Sequence, residues 1–221
     1  MLNNKLIKKL SAKNIKILDI NTTYIEEGCE IGENTTIYPN NYILKNSIIG
    51  KNCVLGENNH IENCIIGDEN FITNSFLLNS KINNFNKIGP YSKINNTTIK
   101  DYVKVKCFNE LNKCEIKNNV LIGSLSCVNN AEIFDNVEIG CGVNICSDID
   151  KNLTTIISEN CFIGSGCNII SPVVIGENSF ISSGAIIYKN IDSNKFVIGE
   201  RNLKINEDYK KTHIKNNNDI N

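Results

Sequence analysis

Aliphatic residues recur along this chain at a spacing that fits neither a helix nor a simple alternating strand. Near the start they fall at Ile31, Ile37, Ile43, Ile49, Leu55 and Ile61, every sixth residue, often followed by glycine. Near the end the run Ile157, Ile163, Ile169, Ile175, Ile181, Ile187 keeps the same step. Between them the series Ile82, Ile88, Ile94, Ile99, Val105, Leu111, Ile116, Ile122, Val128, Ile133, Ile139, Ile145 steps 6, 6, 5 and repeats. The true period is therefore 17, built of three short segments. Neither the 3.6-residue helical period nor two-residue alternation accounts for it.

Each segment reads as a short strand with one inward aliphatic residue, followed by a tight turn. Three segments make a triangular coil. One coil cannot bury its own core, so coils must stack, Ile above Ile, as a solenoid. β-Branched Ile and Val pack well on pleated surfaces, and Asn and Gly tolerate left-handed turns. From about Thr23 to Ile191 there is room for nine or ten coils, a prism on the order of 45 Å long at roughly 4.8 Å per coil. The repeat slips between Ile72 and Ile82, near Phe71, Phe76 and Phe85, which predicts a distorted coil. The polar stretch Ser147 to Thr155 interrupts the repeat without shifting its phase, so it is expected to project as a loop, with residues 21–192 forming the solenoid around it. Apolar residues at 2, 6, 7 and 10 have a helical spacing and predict a short amphipathic helix within Leu2 to Lys16, in an N-terminal lead-in of residues 1–20. The polar tail, residues 193–221, is expected to hold a short helix near Tyr209.

Composition narrows the function. The chain has 221 residues, of which 40 are Asn and 38 are Ile; Arg201 is its single Arg. A skew toward Asn, Ile and Lys resembles a coding bias. A net charge of -1 provides no basic field to draw in nucleic acid or an anionic membrane. No apolar run approaches the ~18 residues of a membrane span, and Met1 to Asn14 lacks the apolar core of a secretory signal. A cytoplasmic location is expected. The ten Cys include no CxxC pair, and there are two His, His60 and His213. Scattered cysteines do not make a zinc site, so no metal is expected. Cys29, Cys53, Cys161 and Cys167 sit four residues after an aliphatic position, where a small inward side chain fits. His60 is read as a surface residue in a turn.

The segments IGPYSKI (88–94), NNAEIFDNVEIGCGVNIC (129–146) and IISENCFIGSGCNIISPVVIGENSFISSGAIIYKNI (156–191) carry a more specific signal. The chain resembles the hexapeptide-repeat acyltransferases. Within them it is similar to the C-terminal acetyltransferase domain of the bifunctional uridyltransferase/acetyltransferase that makes UDP-N-acetylglucosamine. The uridyltransferase half of that family has no counterpart here. The resemblance, over about residues 15–210, implies an all-β left-handed parallel β-helix, a homotrimer and acetyl-CoA as acyl donor to an amino sugar or sugar nucleotide.

Carried over residue by residue, the resemblance puts Ser124 at the family's general-base position, where the family has His. A serine without a partner is no base near neutral pH; Asp148, in the polar stretch, is a second candidate base. Asn95 and Asn112 stand at two cationic, phosphate-gripping positions, and Cys127 and Glu138 at two sugar-contacting ones. Losing both cations removes the charge-assisted grip on a phosphate. Cys141, Ser165, Ser183 and Arg201 fall at acetyl-CoA-contacting positions. Two functions follow: an acetyl-CoA-dependent acyltransferase, or an inactive trimeric scaffold or regulatory relative.

Overall fold

The structure is a computed structural model, and it describes residues 13–146 and 154–199. Those residues form a parallel β-solenoid of three walls and about ten coils, with no helix among them. Wall 1 runs from Lys16–Ile17 to Phe196–Val197 and has 11 strands; wall 2 runs from Tyr24–Ile25 to Ile186–Ile187 and has 10; wall 3 runs from Glu30–Ile31 to Val174–Ile175 and has 9. Every pairing is parallel and joins a strand to its counterpart one coil on.

The inward position of each strand is the aliphatic residue of the repeat. Ile37, Ile43, Leu55, Ile61, Ile94, Ile99 and Ile122 are fully buried. The register puts like on like: Ile94 on Leu111, Ile99 on Ile116, Ile122 on Ile139. A second inward residue closes each corner and is small, because the three walls converge there. Cys53, Cys64, Cys114, Cys161 and Cys167 take this place in some coils; Ser, Thr, Asn, Val or Ala take it in others. The thiols donate to backbone carbonyls, Cys53 to Gly67 at 3.1 Å and Cys167 to Ser182 at 3.2 Å. All ten cysteines are free.

At the outer corners the chain turns through left-handed backbone, and Asn supplies 16 of these residues, which makes it the default corner residue. Stacked corner asparagines bond to one another, each Nδ2 donating to the Oδ1 one coil on: Asn119 to Asn136 at 3.3 Å, Asn136 to Asn160 at 3.1 Å, Asn160 to Asn178 at 3.2 Å.

The structure departs from the sequence expectations in three places. Residues 13–20 are not helical: Ile15 is buried and Lys16–Ile17 pairs with Thr36–Ile37, because the free edge of the next coil satisfies its backbone. The rest of the expected N-terminal helix, and the tail helix near Tyr209, lie outside the described residues. The coil through Ile72, Leu77 and Ile82 is not distorted. It is one residue shorter, and its strands pair in register on all three walls. Phe76 and Phe85 do not cluster; Phe76 stacks on His60 at 4.6 Å and Phe85 on Tyr102 at 4.8 Å. His60 lies in a strand, His60–Glu62, not in a turn, with Nε2 3.1 Å from Glu62. Near the polar stretch, Thr155 already belongs to wall 3, and Asn136 bonds to Asn160, 24 residues on, against 17 in the preceding coil. The insertion leaves the register intact.

Two outcomes follow. A Cβ on Gly164 would lie 2.4 Å from the Ser183 backbone nitrogen of the next coil. Gly164→Ala should therefore destabilise by about 1–3 kcal/mol in chemical denaturation. Burial pushes the Cys53, Cys64 and Cys114 thiols from 9.0 up to about 11. Between these values only the unfolded chain ionises, so this contribution to stability is complete below pH 9 and is lost as pH rises toward about 11. Denaturation midpoints measured across that window should fall, and the serine variants of these three cysteines should fall less.

Candidate functional site

The corner between walls 1 and 2 gathers four of the ten residues singled out above, Ser124, Cys141, Ser165 and Ser183. Each coil contributes four residues there, and the second of them forms a column: Cys107, Ser124, Cys141, Ser165, Ser183. Backbone hydrogen bonds lock the column in step, from Gly142 N to Ser124 O, Gly166 N to Cys141 O and Gly184 N to Ser165 O, each 2.8 Å. The Ser165 hydroxyl accepts from the Cys141 amide at 3.1 Å. The Ser124 hydroxyl accepts from the Cys107 thiol, also at 3.1 Å. Cys141, Ser165 and Ser183 are exposed, and Ser124 is half-buried.

The next position of the same corner holds residues that sequence reasoning passed over. It is the left-handed position, occupied by Asn40, Asn58, Asn74, Tyr91, Phe108 and Leu125 in the earlier coils and by Gly142, Gly166 and Gly184 in the last three. Backbone conformation does not require those glycines, since Asn, Phe and Leu hold the same φ near +60° elsewhere in the column. Internal packing does not require the first two either, because a Cβ on Gly142 or Gly166 would meet nothing within 4 Å. The effect is outward. Over three coils the corner is bare backbone flanked by small side chains, with nothing standing off the surface. The signal was present as IGCG, IGSG and ISSG.

The remaining candidates separate. Asn95, Asn112 and Cys127 share the outer face of wall 2, where Asn95 Nδ2 donates to Asn112 Oδ1 at 3.0 Å. Cys127 Sγ accepts from Asn129 at 3.1 Å, and partial burial raises its thiol pKa, which argues against a thiolate nucleophile. Glu138 is exposed on wall 1, around the corner from Cys127 and flanked by Leu121 and Phe162. One chain does not bring Glu138 and Cys127 onto one surface. Asp148 and Arg201 lie outside the described residues. Among the described residues, no group of three or more His, Cys, Asp or Glu is placed to hold a metal ion, and no helix is long and apolar enough to cross a membrane.

Comparison with known proteins agrees with this architecture. The bacterial transferase hexapeptide (six repeats) family pattern matches residues 28–63 and 154–189. Bifunctional protein GlmU of Acetivibrio thermocellus is 32% identical over 211 residues, covering 95% of this chain and 46% of that protein. GlmU of Caldicellulosiruptor saccharolyticus is 34% identical over 193 residues, covering 86% and 42%. The chain thus spans slightly under half the length of these curated relatives. Among solved structures, LpxA, a UDP-N-acetylglucosamine acyltransferase from Bacteroides fragilis 9343, matches with a TM-score of 0.43 at 20% identity, over 80% of this chain and 69% of that one, too loosely to bear on chemistry. The chain is a hexapeptide-repeat protein, related along nearly its whole length to a segment of the bifunctional GlmU proteins.

Proposed function

We propose that the chain is an acyltransferase that lays acetyl-CoA along the bare corner of its last coils and passes the acyl group to an amino sugar or sugar nucleotide. The observation that carries this reading is the run Gly142, Gly166, Gly184, at a position where the rest of the column bears side chains. A slender, amide-bearing arm such as pantetheine fits a surface of exposed backbone and small hydroxyls. Bound there, acetyl-CoA would supply an activated thioester carbonyl. The Ser165 and Ser183 hydroxyls can donate to and accept from such an arm, and the missing Cβ atoms let it approach the backbone. Arg201, from the sequence resemblance, would meet the donor's phosphates. In this reading the active form is a homotrimer in the cytoplasm, in which a neighbouring copy walls off the corner.

Ser124 is the weak point of the chemistry. Among the described residues its one side-chain hydrogen bond is from the Cys107 thiol, and a serine hydroxyl is no base near neutral pH. An acceptor amine would have to arrive unprotonated. The same observation, with Asn95 and Asn112 at positions where the relatives' pattern calls for cations, favours the second reading: a trimeric scaffold that has kept the fold and lost catalysis.

Titration of the full chain with acetyl-CoA separates the two. Saturable heat is expected, whereas silence in both calorimetry and thermal shift would leave the scaffold reading. Gly166→Asn installs the residue that the chain itself uses at this φ. It should leave the melting temperature nearly unchanged and weaken acetyl-CoA binding about tenfold or more, since an occupied approach costs contacts worth about 1.4 kcal/mol per decade. Ser124→His alone should not produce glucosamine-1-phosphate acetylation in a mass-spectrometric assay, because the phosphate-holding cations would still be absent.

A further inference from the structure

The outer face of wall 2 changes character along the prism. Its first positions are Tyr24, Tyr42, His60 and Phe76, a ladder of rings. An ion pair follows, Lys93 to Glu110 at 3.0 Å. Beyond it the face becomes a recess of about 440 Å3, within the ~300–1,000 Å3 range of small-ligand clefts. Carboxamides dominate its lining: Asn112, Asn129, Asn144 and Asn168, beside the thiols of Cys127 and Cys146. Asn144 Nδ2 donates to Asn168 Oδ1 at 3.3 Å, and Asn95 Nδ2 to Asn112 Oδ1 at 3.0 Å. These pairs lock the amides in fixed orientations while leaving each with unused capacity. Asn95 Oδ1, one coil before the recess, is buried without a partner among the described residues.

Charge is nearly absent. Among the described lining residues, Lys113 is the one cation and Glu110 the one anion, and Glu110 is already held by Lys93. Phosphate and carboxylate ligands are gripped by clustered charge-assisted bonds from Arg or Lys, and among the described lining residues only Lys113 could supply one. Each carboxamide both donates and accepts, which matches a hydroxyl group that does the same. Oriented amides on four successive coils present an array for adjacent hydroxyls on a ring.

We propose that this recess binds an uncharged, hydroxyl-rich ring, a sugar bearing no phosphate, and discriminates against phosphorylated sugars. Binding follows from the lining alone; that the bound ring receives an acyl group rests on the acyltransferase reading above.

The test titrates the full chain with methyl glucoside, methyl galactoside and N-acetylglucosamine, and separately with glucosamine 1-phosphate, while NMR follows the asparagine side-chain amides. The uncharged probes should shift Asn112, Asn144 and Asn168 saturably, with glucosamine 1-phosphate about tenfold weaker or worse. Asn144→Ala, an exposed position, should weaken the best probe several-fold, and Asn112→Arg should turn the preference toward the phosphate. Tighter binding of glucosamine 1-phosphate by the unaltered chain, or unmoved recess amides with every uncharged probe, overturns the proposal. Sugar binding without acetyl-CoA binding would sink the acyltransferase reading and leave this one standing; the reverse pattern would sink this one alone.

Discussion

Backbone hydrogen bonds between successive coils set everything else in this protein. They tie each residue to its counterpart one coil on, from Ile48 N to Cys64 O at 2.9 Å, from Gly140 N to Ile163 O at 2.8 Å. With neighbours only ~4.8 Å apart, each position becomes a column running the length of the prism, and a column must be chemically consistent with itself. Aliphatic columns fill the interior, small residues fill the inner corners, and asparagine holds the outer turns. Where coils approach most closely, as at Gly164, even a methyl group has no room.

A rigid frame of this kind leaves the outward-facing columns open to specialise. The two candidate surfaces are neighbouring columns that changed composition partway along: a corner that exchanges Asn and aromatic residues for glycine, and a wall that exchanges rings for carboxamides. The recess runs from Asn112 to Asn168 and the glycines from Gly142 to Gly184, so the two overlap at the coils of Gly142 and Gly166, and the one long coil lies among them. The insertion is accommodated because register depends on strand pairing and not on the number of residues between strands. Both candidate surfaces thus lie toward one end of a scaffold that is otherwise repetitive.

The interior was legible in the sequence because it is periodic. The repeat identifies most of the inward aliphatic residues of the strands, though not the buried corner valines such as Val103 and Val120, and the offset of four finds four of the six buried cysteines, missing Cys64 and Cys114. The exterior was less so. His60 looked like a turn residue because it follows two asparagines, yet Asn59 is an inward corner residue, its Nδ2 2.8 Å from Gly56 O, and the strand begins immediately after it. The short coil at Leu77 looked like a defect because spacing was judged along the chain, whereas pairing across coils absorbs a missing corner residue. Cys127 and Glu138 were grouped by resemblance, but a corner divides them. The glycine corner was spelled out in the sequence and passed over, since a glycine's meaning there depends on what stands above and below it.

The asparagine ladders carry one more consequence. Backbone hydrogen bonds between coils alternate in direction, as with Lys16 N to Thr35 O and Asn34 N to Lys13 O, and their dipoles largely cancel. The exposed side-chain amides do not alternate: Asn14 donates to Asn34, Asn40 to Asn58, Asn63 to Asn79 and Asn178 to Asn194, always toward the later coil. Bonds aligned head to tail polarise one another. The exposed ladders therefore line up their side-chain dipoles along the axis, carbonyl oxygens toward the earlier coil and amide NH2 groups toward the later one, while the buried pair Asn59 to Asn41 runs the other way.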